Sequence, residues 1–257
     1  MISPQQNGTS LRRVLLSVAG GLFLPVVWYF AKNGLGISDR YLPSISAVIG
    51  AVTDLDPGLG VHVAATVTRL AIGFVLGTCG GIAAGIMFAR WPFSDYLLNP
   101  SIQALRAVPA AATVPFFLLW FGFSELGRYL LVLLAVGLNV AVASHQVLAS
   151  HSRSHAAFFH SFGLNSGEFP LRYSLPRVAE AILPTLRYSL ALSIGAVTVS
   201  ELLGSQTGLG YLLQTGRSTF ALHLMFLAMI AVGVVAAVLD WLLQILWRKI
   251  IYWNTYE

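Results

Sequence analysis

Five windows of this chain run for 18 residues or more without a charged side chain: Val14 to Ala31, Leu70 to Ala89, Ala107 to Ser124, Tyr129 to Ser152 and Ser218 to Leu239. As helix, each is long enough to cross the roughly 30 Å hydrocarbon layer of a bilayer. A sixth window, Tyr188 to Gly204, is rich in Leu, Ala, Val and Ile and is interrupted by Glu201. Composition agrees, since 56% of residues are hydrophobic and 10% charged, against about 25% charged in soluble domains. The pattern predicts an all-α membrane protein of about six transmembrane helices, near 14–31, 70–89, 107–124, 129–152, 188–204 and 218–247, in one domain spanning 1–257. Arg12 and Arg13 precede the first window as they would a signal peptide, but the window exceeds the usual 7–15 apolar residues and no small-x-small cleavage site follows, so it reads as an uncleaved span.

Six spans place both termini on one side, and the distribution of Arg and Lys says which. Eight basic residues (12, 13, 90, 153, 172, 177, 248 and 249) fall in one set of connecting segments and five (32, 40, 69, 128 and 217) in the other. Both termini are therefore expected in the cytoplasm. Residues 33–60, rich in Gly and Pro, read as an external loop with at most a short surface helix around Ile45 to Val52. Residues 153–187 carry Arg, His, Asn, Glu and three prolines between two spans on the expected cytoplasmic side. A polar connector of that size suggests a docking surface.

Several chemistries are excluded. A phosphate-cradling loop needs Gly-Lys followed by Ser or Thr, yet the two lysines, Lys32 and Lys249, follow Ala31 and Arg248. An ATP-driven role thus requires a separate ATPase chain. His151-x3-His155 has metal-ligand spacing but no Cys or acidic residue nearby to complete the set, so no metal is expected. No Gly-x-Ser-x-Gly elbow is present. Basic residues do not cluster on a polar face, which argues against nucleic acid, and the lone Cys79 forbids an intramolecular disulfide.

Within the spans, Gly73, Gly77, Gly81 and Gly85 recur every four residues, a small-residue face that lets another helix approach to backbone contact. Glu201 is an intramembrane carboxylate, costing at least about 2.5–3.5 kcal/mol on insertion scales unless paired or wetted. Either it serves transport or it pairs with a neighbouring helix, through Arg69 or Arg106. Ser189, Ser193 and Ser200 share its helical face, as a polar translocation path or as hydroxyls bonded to their own backbone. Asp240, one or two turns from Arg248 near the cytoplasmic surface, reads as snorkelling or solvated.

The connector reads Ala157-Phe158-Phe159-x3-Gly163, with Leu175-Pro176 twelve and thirteen residues after the glycine and Arg187 beyond. It resembles the Glu-Ala-Ala loop of ATP-binding-cassette importer permeases. Further blocks extend the likeness to the aliphatic sulfonate, taurine, nitrate and bicarbonate branch: Leu42-Pro43-Ser44, Gln103-Ala104-Leu105-Arg106 with Pro109, Leu119-Trp120-Phe121-Gly122 with Glu125, Glu201-Leu202-x-Gly204 and Gly208-Leu209-Gly210-Tyr211. The resemblance implies a type I importer permease fold, with cytoplasmic coupling helices between spans 4 and 5. Ala157, Phe158, Phe159, Gly163, Leu175 and Pro176 would form the segment that engages the ATPase. It also implies an inner-membrane homodimer, two ATPase subunits that hold ATP and Mg, an external substrate-binding protein, and no cofactor on this chain. The family's acidic opener is Ala157 here and its two alanines are Phe158 and Phe159, so aromatic burial would replace charge pairing at that contact. An ion-gradient carrier or channel working through Glu201 is the rival reading, and a membrane assembly subunit a third.

Overall fold

The computed structural model describes residues 6–161, 176 and 178–251, with side chains described from Gly20 onward except at 92, 94, 95, 98, 99 and 151–161. Among the described residues the secondary structure is helical: α1 Gln6–Gly34, α2 Ile45–Thr53, α3 Leu59–Arg90, α4 Pro92–Ala107, α5 Ala110–Phe121, α6 Glu125–Ser161, α7 Leu183–Gly204, α8 Leu209–Ser218 and α9 Leu222–Ile250. Helices α3, α6, α7 and α9 are each long and apolar enough to cross a membrane, and α4 with α5 makes a fifth candidate broken by a 98° bend. The first charge-free window falls within α1.

The glycine face of α3 sets the geometry of the bundle. A Cβ on Gly73 would lie 2.9 Å from the Tyr129 carbonyl oxygen, one on Gly77 2.9 Å from that of Leu133, and those on Gly81 and Gly85 2.7 Å from those of Gly137 and Ala141. Contacts advance together along both helices, so α3 and α6 run parallel with backbones touching. Leu70, Val132, Val136 and Val140 fill the seam, and Leu186, Leu190, Ile194 and Val197 of α7 close over it. Because α7 packs against α3, α5, α6, α8 and α9, it is the central helix. Leu22, Phe23, Leu24 and Phe30 of α1 point outward, as do Val75 and Leu76 of α3. Such surfaces require lipid or a partner chain around them.

Several boundaries differ from the sequence expectation. The window 107–124 is not one helix. Pro109 supplies no N–H and bars Val108 from the helical region, so Val108 is extended (φ −74°, ψ 125°) and the chain turns there. Ala107 ends α4, and the upright piece is the twelve-residue α5. The helix that carries the span 129–152 does not stop at its end, because α6 continues to Ser161 as one 37-residue helix. At about 1.5 Å per residue it is roughly 55 Å long, well beyond the hydrocarbon thickness. Span starts also shift: α3 begins at Leu59 and α9 at Leu222.

The short helix expected near 45–52 is α2. Ser44 caps it by accepting from the Ala47 amide. Rather than lying free, it buries Val48 and Ala51 against Leu227 of α9, next to Trp28 and Phe226.

Candidate functional site

Near the starts of α3 and α6 and the end of α7, four charged side chains meet, with Arg69, Arg128 and Glu201 buried and Glu125 exposed. His62, Thr66 and Arg69 stand at i, i+4 and i+7 on α3, a spacing that puts them on one helical face, and all three are buried. Arg69 presents its guanidinium edge to Glu125 of α6, with Nε donating to Oε2 and Nη2 to Oε1, both at 2.7 Å. Its Nη1 donates to Glu201 Oε1 at 2.7 Å and to the Thr207 carbonyl at 2.8 Å. One turn along α6, Arg128 donates Nη1 to Glu125 Oε1 at 2.7 Å and Nη2 to the Gly204 carbonyl. Two arginines and two carboxylates leave the cluster neutral, which offsets the cost of burying Arg69, Arg128 and Glu201.

Glu201 is fully enclosed. Besides Arg69 it accepts from Thr66 Oγ1 at 2.9 and 3.0 Å and from the Gly210 amide at 2.9 Å. The neighbouring amides follow suit, Leu209 N donating to Thr66 Oγ1 at 2.9 Å and Gly208 N to His62 Nδ1 at 3.2 Å. Helix α8 has no capping side chain of its own, since Gly208 stands before it. Side chains of α3 and α7 satisfy its first amides instead. Acceptance at Nδ1 requires that His62 carry its proton on Nε2, and its ring stacks on Tyr211 at 5.7 Å. Glycine is needed at 208 twice over: φ is +120°, and a Cβ would come within 2.5 Å of both Glu201 carboxylate oxygens.

Chemically this is a clamp. With its carboxylate bonded to Arg69, Thr66 and an amide, and without solvent contact, Glu201 is held in place in this conformation. The cluster ties α3, α6, α7 and the 205–208 loop together. Beside it opens a cavity of about 510 Å³ lined by Phe123, Glu125, Arg128, Gly204, Gln206 and Thr207.

The other candidate residues lie elsewhere. Ser189, Ser193 and Ser200 are buried; Ser193 donates to the Ser189 carbonyl and Ser200 to that of Val197, each at 2.7 Å within α7. Asp240 stays partly exposed, with Arg187 rather than Arg248 against it. It takes a two-point contact from Arg187 at 2.6 and 2.9 Å, because antiparallel packing brings the start of α7 to the latter half of α9. Ala157, Phe158 and Phe159 occupy the last turns of α6, where side chains are not described; Gly163 and Leu175 lie outside the described residues, and Pro176 is helical and half-buried. Among the described residues, no group of three His, Cys, Asp or Glu is placed to hold a metal.

Sequence reasoning singled out Glu201 and offered Arg69 as one of two partners. His62 and Thr66 were missed, although the polar i, i+4, i+7 pattern was there to be read. So were Glu125 and Arg128 as a pair, although their i, i+3 spacing at a helix start favours contact.

Residues 77–252 match the family described as "Binding-protein-dependent transport system inner membrane component". The chain is 30% identical to the putative aliphatic sulfonates transport permease protein SsuC of Bacillus subtilis (strain 168), covering 92% of this chain and 88% of that protein. It is 29% identical to the Escherichia coli (strain K12) protein of the same description, covering 96% and 95%, and 26% identical to the taurine transport system permease protein TauC of Escherichia coli (strain K12), covering 95% and 91%.

Proposed function

The chain belongs to the family of binding-protein-dependent transport system inner membrane components, and from that premise we propose that it imports a small anion of the sulfonate, taurine, nitrate or bicarbonate kind. It is a transmembrane permease subunit of an ATP-binding-cassette transporter, and such permeases work with ATPase subunits and substrate-binding proteins. Nucleotide binding belongs to that separate ATPase. The observation that carries the substrate class is end-to-end likeness to permeases described as carrying aliphatic sulfonates and taurine.

The working unit is a homodimer in the inner membrane, with six spans per copy: α1, α3, the broken α4–α5, α6, α7 and α9. Both termini are cytoplasmic, so the clamp lies at the external end, where the binding protein docks. Ala157, Phe158, Phe159, Gly163, Leu175 and Pro176 engage the ATPase, which holds ATP and Mg. ATP binding closes the ATPase pair, draws the two connectors together and turns the bundle outward-facing to receive the anion. Hydrolysis restores the inward-facing state. Glu201 serves the clamp, and the three serines the inner face of α7. An ion-gradient carrier would need Glu201 free to titrate, whereas Arg69, Thr66 and Gly210 occupy it.

The test is purification of the tagged chain from membranes, with mass spectrometry of co-eluting proteins and repetition with Gly163→Trp. A companion ATPase that is lost or uncoupled in the variant supports the reading. A chain that runs without an ATPase and moves solute down an ion gradient overturns it.

A further inference from the structure

A second cavity, of about 270 Å³, lies at the α4–α5 bend between α6 and the first turns of α7. Its walls are mostly apolar, with Arg106, Thr113, Asn139 and Tyr188 as the polar side chains that reach it. Its depth follows from the helices that line it. The apolar stretch of α6 runs from Glu125 to Ser150, and the cavity touches that helix between Leu131 and Asn139, near its midpoint. On α7 it touches Tyr188 and Leu192, just short of the middle. Arg106 is therefore held at mid-depth. It is exposed and, unlike Arg69, Arg128 and Arg187, has no hydrogen bond or ion pair with any described residue.

An unpaired arginine at that depth is costly unless it faces water or an anion. The bend sharpens the point. Pro109 ends one helix and starts α5 beside Arg106, so the N-terminus of α5 at Ala110 borders the same cavity, while the Ala112 amide is taken by the Pro109 carbonyl at 2.9 Å. Broken helices in transporters present such N-terminal amides to anionic groups. The Asn139 amide donates to the Ala135 carbonyl at 2.8 Å, which keeps its side chain beside α6. The volume lies just under the roughly 300–1,000 Å³ of sites for drug-sized ligands, so it suits an anion of few atoms.

We infer that the cavity at the α4–α5 bend is an anion-binding station on the transport path, with Arg106 as the group that meets the anionic head. This rests on the reading of the chain as an anion permease. Lipid headgroups are excluded as the natural occupant by depth. The clamp at the external end is a different site, since its arginines already have carboxylate partners.

The complete transporter, with its ATPase and binding protein, is reconstituted in proteoliposomes and offered isotopically labelled ethanesulfonate, taurine, nitrate and bicarbonate. For whichever anion the wild type moves, Arg106→Gln is expected to lower uptake at least tenfold, while Arg106→Lys keeps a third or more. ATPase stimulation by the loaded binding protein stays within twofold of wild type in both variants, which a structural lesion would not allow. Uptake by Arg106→Gln at the wild-type rate overturns the station and leaves the anion-permease reading standing. Equal loss in the Lys and Gln variants together with lost stimulation also overturns it, as a structural role. If the wild type moves none of the four anions, the anion reading itself fails and this inference falls with it.

Discussion

Arg69 is the residue on which the clamp turns, because it is the cation that Glu201 touches. Removing it leaves a carboxylate buried without its counter-charge, a change that costs about 3–5 kcal/mol. Arg69→Met is therefore expected to lower the thermal midpoint of the detergent-purified chain sharply. Arg69→Met with Glu201→Leu is expected to recover much of the loss, since Glu125 keeps Arg128 as its partner. A double variant less stable than Arg69→Met alone would show that the cluster contributes through more than charge balance. The pairing was half legible in the sequence. An acidic residue in an apolar run demands a partner, and Arg69 was a candidate; but ending the span at the first charge placed Arg69, Thr66 and His62 outside the membrane helix that carries them. The amides of 208–210 were beyond reach, because which loop folds back onto a carboxylate depends on tertiary packing rather than on spacing.

Helix α3 carries a prediction that separates packing from composition. Gly77 and Gly80 are three residues apart, yet a Cβ on Gly77 meets the Leu133 carbonyl and Val136 at 2.9 Å, whereas one on Gly80 meets nothing within 4 Å. Gly77→Ala must push α3 and α6 apart and is expected to destabilise by about 1–3 kcal/mol. Gly80→Ala is expected to be neutral or slightly stabilising, since Ala is the better helix former. Thermal unfolding in detergent checks both, and equal effects would refute the facing surface. This four-residue repeat was fully readable, because small residues at helical spacing have few other uses in lipid. The α4–α5 break was readable too, from Pro109, but counting charge-free residues passes over a proline. At the other end of α1, Lys32 ties the loop by donating to the Ile37 carbonyl at 2.6 Å and pairing with Asp39 at 2.8 Å. The Lys32 hydrogen bond, and then its charge, hold the Asp39 carboxyl below its ordinary 3.8. The sign follows: the pair is complete above that value and is lost only as pH falls through the lowered one. Transport by Asp39→Asn relative to wild type is accordingly expected to be flat between about pH 5 and 8, read from uptake at each pH.

At the scale of the molecule, one element joins every site described. Helix α6 starts in the clamp with Glu125 and Arg128, lines the mid-depth cavity from Leu131 to Asn139, and ends in the turns that hold Ala157, Phe158 and Phe159. A single helix roughly 55 Å long can carry a displacement from the proposed ATPase contact to the proposed anion station without an intervening joint, which is what coupling by rigid-body motion requires. Whether the aromatic pair engages the ATPase and whether the lever transmits are separate questions with separable outcomes. Phe158→Ala with Phe159→Ala is expected to lose the co-purifying ATPase and uptake together, because buried aromatic anchors dominate such interfaces. Ser150→Pro acts differently: a ring there removes one backbone bond and clashes with the preceding turn, bending the helix at a cost of about 3 kcal/mol. The ATPase is then expected to stay bound and hydrolyse ATP at its basal rate, while stimulation by the binding protein and anion uptake fall at least tenfold, with Ser150→Ala unchanged. Full uptake by the proline variant would mean that the signal leaves the connector by another route, through Pro176 and the start of α7, where Trp247 donates to the Ala179 carbonyl at 3.0 Å and ties α9 to that segment.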